Sequence, residues 1–296
     1  MFRVGVIGTG VVGSAVALLL RQKGYEFTGV CSKTGVSAAR LAASLGCKFY
    51  SDPADVLVDA RIVFLTVPDR EIDQLAHRLA DSEYVNNEHV FFHMSGALPA
   101  EVLHPLKEKG SAIGSMHPLQ SFASIEKAVE NLPNSFFAVQ GDAAAAEIAF
   151  ALAETLSGKP FMLKSEDKAL YHLGACIASN YLVALIHFAV GIYRQIGLTE
   201  MQATEALMPL IRGTLANIEL LGPAKALTGP VARGDINTIE KHLGAIGNLA
   251  SGQADLYKYL GCYTTQVAVE KGSIDNSIAE KLLCIFREEV NQDVRQ

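Results

Sequence analysis

The decisive stretch is Val4-Gly5-Val6-Ile7-Gly8-Thr9-Gly10-Val11-Val12-Gly13, a G-x-G-x-x-G directly behind a short apolar run. Three glycines alone prove little. Here a strand-like segment, 2–7, precedes them and an uninterrupted helical pattern, 11–21, follows. In that setting each glycine has a physical task. One makes the tight turn, one lets the backbone approach a pyrophosphate, and one lets the helix pack closely on the strand. The N–H groups that open the helix lack intrahelical partners and, with the macrodipole, favour phosphate. Gly8, Thr9, Gly10, Val11, Val12 and Gly13 therefore predict a dinucleotide cradle.

Beyond this turn, β-rich runs alternate with helical patterns through the first half of the chain. Strands are expected at 2–7, 27–31, 62–66, 89–93, 111–116 and 135–140, with a short run at 160–163. Helices are expected at 11–23, 37–45, 69–80, 99–106 and 143–157. Such alternation predicts a parallel, doubly wound sheet. From Glu166 onward only helical patterns remain, at 166–196, 199–220, 235–246 and 254–271. The expected organisation is an α/β dinucleotide-binding domain over 1–160 and an all-helical domain over 161–296 for substrate binding and dimerisation.

Composition narrows the class. Half of the 296 residues are hydrophobic, 19% are charged and the net charge is −6, as in an ordinary globular protein. Without basic runs or aromatic–basic interleaving, nucleic acid is not an expected partner. Five cysteines, an odd number with no C-x-x-C, suit reduced thiols and a cytoplasmic setting. The N-terminus opens straight into a strand, so no signal peptide is expected. The stretch 169–193 has no Asp, Glu, Lys or Arg and is long enough to span a bilayer. It carries His172, Ser179, Asn180 and His187, which are costly in hydrocarbon, so a helix buried in a protein core is expected and no membrane is involved.

The type of dinucleotide can be read after the second strand. A carboxylate about twenty residues beyond the glycines would grip a ribose 2′-hydroxyl. No Asp or Glu lies between Glu26 and Asp52; the strand runs instead into Ser32-Lys33-Thr34, two hydroxyls and a cation suited to a 2′-phosphate. NADP is therefore the expected cofactor. Thr66-Val67-Pro68 closes another strand and is expected to border the cofactor, with Pro68-Asp69 starting the next helix.

Candidate chemistry lies at two further strand ends, His93-Met94-Ser95-Gly96 and Ser115-Met116-His117-Pro118. Ser95, beside a glycine that permits close approach, and His117 are expected to face substrate; His93 is expected to be structural. On the long helix, at 100° per residue, Lys168, His172, Cys176, Ser179, Asn180, Val183 and His187 share about a third of the circumference. Reducing a carbonyl or imine needs a proton donor, and Lys168 or His172 suits that role. The plainer alternative leaves Lys168 solvated at the helix start. In the loop Leu227-Thr228-Gly229-Pro230-Val231-Ala232-Arg233-Gly234-Asp235, Asp235 can cap a helix and Arg233 could clamp an acidic group. No helical H-x-x-x-H spacing appears among the eight histidines, so no metal site is expected.

These residues carry a resemblance. Gly8-Thr9-Gly10-Val11-Val12-Gly13, His93-Met94-Ser95-Gly96, His117-Pro118-Leu119-Gln120, Tyr171-His172, Ser179-Asn180-Tyr181 and the 227–235 loop resemble an uncharacterised family of proposed NADP oxidoreductases. That family joins a Rossmann-like domain to a helical domain of unknown function, within the 6-phosphogluconate dehydrogenase-like superfamily. The resemblance implies a Rossmann fold, a 6-phosphogluconate dehydrogenase-like C-terminal domain, NADP and a homodimer. The superfamily's β-hydroxyacid dehydrogenases carry a lysine followed four residues later by asparagine; here Lys168 is followed by His172.

The expected function is NADP(H)-dependent hydride transfer to or from a small polar metabolite in an interdomain cleft. Ser95, His117, Lys168, His172 and Asn180 would face the substrate. The competing possibility is a dinucleotide-binding sensor or partner protein without redox chemistry, since fold does not imply function.

Overall fold

The computed structural model describes residues 3–246 and 251–287, which form two compact units, Met1–Leu182 and Val183–Gln296. The first unit is built on an eight-stranded sheet. Its strands are β1 (Arg3–Ile7), β2 (Glu26–Cys31), β3 (Lys48–Tyr50), β4 (Ile62–Leu65), β5 (Val90–His93), β6 (Ala112–Pro118), β7 (Phe136–Gly141) and β8 (Lys159–Met162). Their order in the sheet is β3-β2-β1-β4-β5-β6-β7-β8. The chain thus winds outward in one direction through β3 and in the other from β4, and the strand order reverses between β1 and β4. Residue 2, expected in the first strand, lies outside the described residues.

The helices of this unit are α1 (Val11–Gln22), α2 (Gly35–Leu45), α3 (Asp69–Ala80), α4 (His104–Lys107), α5 (Ile125–Asn131), α6 (Ala143–Thr155) and α7 (Lys168–Cys176). They cover both faces of the sheet. One core joins Val4, Val6, Phe64, Phe92 and Phe137 to α1, α2 and α6. The other joins Val63, Leu65, Phe91 and Ile113 to α3 and the segment around Leu103 and Leu106. This two-sided burial explains the near-continuous apolar strands, because a sheet covered on both faces has no polar alternation. The doubly wound α/β class expected of the first half is the one observed.

Two details differ from a wholly parallel sheet. β3 is an additional three-residue edge strand, too short and too exposed to leave a periodic signal. β7 runs antiparallel to β6. The connection between them, residues 119–135, contains the seven-residue α5. This helix packs against α1, and the chain re-enters at the rim where β6 ended.

The second unit is helical: α8 (Leu182–Gln195), α9 (Glu200–Leu221), α10 (Pro223–Ala226), α11 (Ile236–Ile246), α12 (Ser251–Lys271) and α13 (Asn276–Arg287). Thr199 opens α9 with a capping box, its hydroxyl accepting the Gln202 N–H while the Gln202 side chain reaches back to the Thr199 N–H. Asp235 caps α11 through the Thr238 N–H at 3.1 Å, as its position predicted. Ile239, Ala268, Leu282 and Phe286 form the core of this part.

The long apolar helix departs from expectation in two ways. A π-helical segment, Ile177–Tyr181, joins α7 to α8, so the 100° spacing that aligned the polar stripe does not hold across it. Nor is the helix a core element of this chain. Within α7, the π segment and α8, only Lys168 and Val190 are buried, while Leu170 is 70% exposed. Ser165–Gln195 is long and apolar enough to cross a membrane by length and composition.

The large buried side chains dominate the stability of the first unit. Phe92, fully buried between the sheet and its helices, is expected to cost about 3–5 kcal/mol on replacement by alanine. A Phe92→Ala variant whose denaturation midpoint matched wild type would contradict this packing.

Candidate active site

β1, β4, β5 and β6 are parallel neighbours, and Ile7, Leu65, His93 and Ser115 stand level across them. The residues that follow these strands therefore share one rim, spread over three inter-strand spacings, roughly 14 Å. The reversal of strand order places a crevice at this rim, where open α/β sheets bind ligands.

At the β1 end, Gly8 adopts φ +104°, a left-handed conformation that disfavours side chains. A Cβ there would lie 2.6 Å from the Thr66 carbonyl oxygen; one on Gly13 would strike the Thr66 side chain. A Cβ on Gly10 would meet nothing within 4 Å. The first and third glycines thus allow close packing, and the second leaves open space before the amides of Val11 and Val12. The Thr66 hydroxyl donates to the Gly8 carbonyl at 2.5 Å and the Thr66 N–H donates to the Ile7 carbonyl at 2.8 Å. Thr66 therefore supports the turn from beneath. Pro68 stands at the N-cap of α3.

Ser37 joins the loop after β1 to the loop after β2, an arrangement that sequence reasoning missed. Its hydroxyl accepts from Thr9 at 2.7 Å and lies 3.1 Å from the Ser32 hydroxyl and 3.2 Å from that of Thr34. Lys33 makes no hydrogen bond or ion pair with the other described residues. A cavity of about 440 Å³ opens here, lined by Gly8, Ser32, Lys33, Val67, Glu71 and Arg78 among others. Arg78 is held at 2.9 Å by Asp52. Glu71, Gln74, Leu75 and Arg78 all line this cavity, and their i, i+3, i+4, i+7 spacing on α3 was the available signal for Glu71 and Arg78.

Toward β6 the predicted substrate-side residues converge, except one. Lys168 is only 2% exposed, and its ammonium donates to the Ser115 hydroxyl at 2.7 Å. It is therefore not a solvated residue at a helix start. Tyr171, one turn further on, pairs its hydroxyl with His117 Nδ1 at 2.7 Å. Gly96 lies beneath the rings of His117 and His172; a Cβ there would come within 2.8 Å of His117 Nε2 and of His172 Cδ2. The Ser95 hydroxyl is fully engaged, donating to Asp69 at 2.7 Å and accepting the Ala97 and Leu98 N–H groups. Asn180 sits exposed in the π segment. Two signals could have exposed Ser115 and Tyr171: the strand period that pairs Ser115 with His117, and the i, i+3 step from Lys168.

The electrostatics follow from burial. Desolvation lowers the Lys168 pKa to about 8, opposed by the nearby carboxylates Asp69 and Glu101. His117 is lowered to about 4 by burial, then by Lys168 and His172. His93, lowered to about 3 by burial and Lys168, accepts the Ser95 N–H at Nδ1 and bonds the Pro99 carbonyl through Nε2. Burial raises Tyr171 to about 12. At neutral pH one buried ammonium therefore stands beside the neutral rings of His93, His117 and Tyr171.

The rim, the glycine turn and the strand-order reversal define a doubly wound dinucleotide-binding fold, here followed by a helical unit. Residues 1–118 match a Rossmann-like domain, and residues 135–264 match a domain of unknown function, DUF2520. The structure resembles protein TM1727 from Thermotoga maritima, with a TM-score of 0.73 and 30% identity over 90% of this chain and 99% of that one. The chain belongs to this family, a Rossmann-like domain joined to DUF2520. It also resembles BF3122 from Bacteroides fragilis, a proposed NADP oxidoreductase, with TM-score 0.72 and 24% identity over 90% of this chain and 98% of that one. The reductive aminase of Aspergillus terreus, solved with NADPH and ethyl-5-oxohexanoate, shares the fold at TM-score 0.63 and 15% identity, over 97% and 93% of the two chains. No curated protein matches the sequence.

A buried lysine with a depressed pKa makes stability depend on pH. The unfolded chain holds this proton up to about 10.5 and the folded chain only to about 8, so the penalty is complete below pH 8 and is relieved as pH rises from 8 toward 10.5. The tyrosine and thiols shifted upward oppose this trend in the wild type, so the difference from Lys168→Met is the informative quantity. Its stability advantage over wild type should shrink across that interval in thermal melts; a difference independent of pH would contradict a desolvated ammonium.

Proposed function

We propose that the protein is an NADP(H)-dependent oxidoreductase that transfers a hydride to or from a small polar metabolite. The observation that carries this reading is Lys168, an almost fully buried ammonium in the same unit as the glycine turn. Burying a charge is costly, and a lysine tuned toward neutrality is a natural proton donor and acceptor. Asp69 connects the two regions: it follows Thr66-Val67-Pro68 in sequence, receives the Ser95 hydroxyl, and acts electrostatically on Lys168.

In this reading Gly8, Thr9, Gly10, Val11, Val12 and Gly13 take the pyrophosphate, and Ser32, Lys33 and Thr34 take the 2′-phosphate. Val67 and Pro68 border the cofactor. The bound cofactor supplies the hydride. Lys168 or His172 moves the proton, His117 orients the reacting group, and Ser95 holds the β5 loop in place. The NADP oxidoreductase proposed for BF3122 and the NADPH bound to the Aspergillus enzyme agree with this assignment. NADPH at one hundred times its Kd should stabilise the protein by about 2.7 kcal/mol. Lys33→Ala should weaken NADPH about ten- to a hundredfold while leaving NADH unchanged. No thermal shift with NADPH would refute the function, and an unchanged preference in Lys33→Ala would refute the 2′-phosphate assignment.

Self-association is part of the same proposal. Leu170, Ile177, Tyr181 and Val183 along the long helix, and Leu210 and Leu220 on α9, are exposed, a pattern that marks association surfaces. Sedimentation of the detergent-free protein at micromolar concentration should give a homodimer; a monomer, or recovery only from membranes, would overturn this.

A further inference from the structure

We propose that Tyr171 is a positioning residue for His117, holding its imidazole in the Nε2–H tautomer so that it serves as a hydrogen-bond donor beside Lys168. The ligand-facing consequence rests on the function proposed above; the tautomer itself does not.

A neutral imidazole has one donor and one acceptor nitrogen, and its hydrogen bonds decide which is which. His117 has a single hydrogen-bond partner among the described residues, the Tyr171 hydroxyl at Nδ1. That hydroxyl has no other acceptor among them. If Nδ1 carried the proton, the phenol would accept it and its own O–H would be left without a protein acceptor among the described residues, in a half-buried site. With the phenol as donor, both groups are satisfied by one bond, and the proton on His117 is placed on Nε2. The surroundings keep both partners in the required state. The imidazole stays neutral because burial and the Lys168 charge disfavour a second cation, and the phenol stays protonated because burial disfavours its anion.

The geometry holds the pair rigidly. Ser115 and His117 lie two residues apart on β6 and so face the same side; Lys168 and Tyr171 lie one helical turn apart on α7. The two elements are therefore joined by two parallel bonds, Lys168 to Ser115 and Tyr171 to His117, each of 2.7 Å. The Tyr171 ring is further braced edge-on by His117 at 5.6 Å and by Phe161 at 6.1 Å between centroids. Gly96 completes the seat, since any side chain there would displace the His117 ring. The carboxylates that act on Lys168 are engaged elsewhere, Asp69 by Ser95 and Glu101 by Ser165 and Gln140. The donors gathered in this corner are then an ammonium and an imidazole N–H, a pair whose chemistry suits an oxygen acceptor.

Nitrogen-15 NMR of the full-length protein labelled at histidine tests the assignment, with His117→Gln identifying the resonances. The wild type should show a pyrrole-type Nε2 and a pyridine-type Nδ1. Tyr171→Phe, which keeps the ring packing, should lower the ratio of the Nε2–H to the Nδ1–H form by about five- to tenfold and move the two shifts toward each other. An Nδ1-protonated wild type, or shifts unmoved in Tyr171→Phe, would overturn the proposal. Should that variant not fold, a Tyr171 hydroxyl proton correlated with Nδ1 in the wild type decides in favour, and a proton on Nδ1 decides against. NADPH melts run on the same samples separate the two readings: the expected tautomer without NADPH binding keeps this inference and removes the proposed function.

Discussion

The seating of Gly8 on the end of β4 is the constraint on which the rest of the structure depends. Its positive φ, the Thr66 carbonyl against its α-carbon and the Thr66 hydroxyl on its own carbonyl bring β1, α1 and β4 into contact at one point. That contact directs the N-terminus of α1 along the sheet rim. It also sets β4, and through it β5 and β6, in register with β1, so that residues far apart in sequence emerge side by side. The open space at Gly10 follows from the same geometry.

Along this rim the polar environment changes in character. The β1–β2 end is lined by exposed loops, a lysine unpaired among the described residues and an arginine tied to a carboxylate. The β5–β6 end is closed: Lys168, His93 and Ser115 are buried, and the titratable groups there are shifted by desolvation. Exposed charge suits the recognition of a charged ligand group, whereas a desolvated ammonium suits proton transfer. This gradient gives the proposed hydride-transfer function a physical basis beyond the fold shared with known reductases.

Much of this was legible in the sequence for identifiable reasons. The glycine turn could be read because its spacing, the preceding strand and the following helix are all local. Helix α3 was legible from residue 69 to residue 80 because Pro68 and the acidic first turn mark its start. Strand β3 escaped notice because three exposed residues on a sheet edge carry no periodicity. The reversal at β7 escaped because strand direction depends on the rim at which the chain re-enters the sheet, which no local pattern reports. The polar stripe on the long helix failed at the π segment, where constant angular spacing ceases to apply. The same helix looked like a core element because apolar composition does not report whether a side chain is buried.

The sequence by itself determined the class of fold, the glycine turn between β1 and α1 and the lack of a carboxylate after β2, because each depends on neighbours within a few residues. Only the tertiary structure decided that Ser115 receives Lys168, that Tyr171 meets His117, that Arg78 joins the cavity beside Lys33, and that the Ser95 hydroxyl is saturated. Those pairings span tens of residues along the chain. Strand order and helix placement create them, and burial then gives them their protonation states.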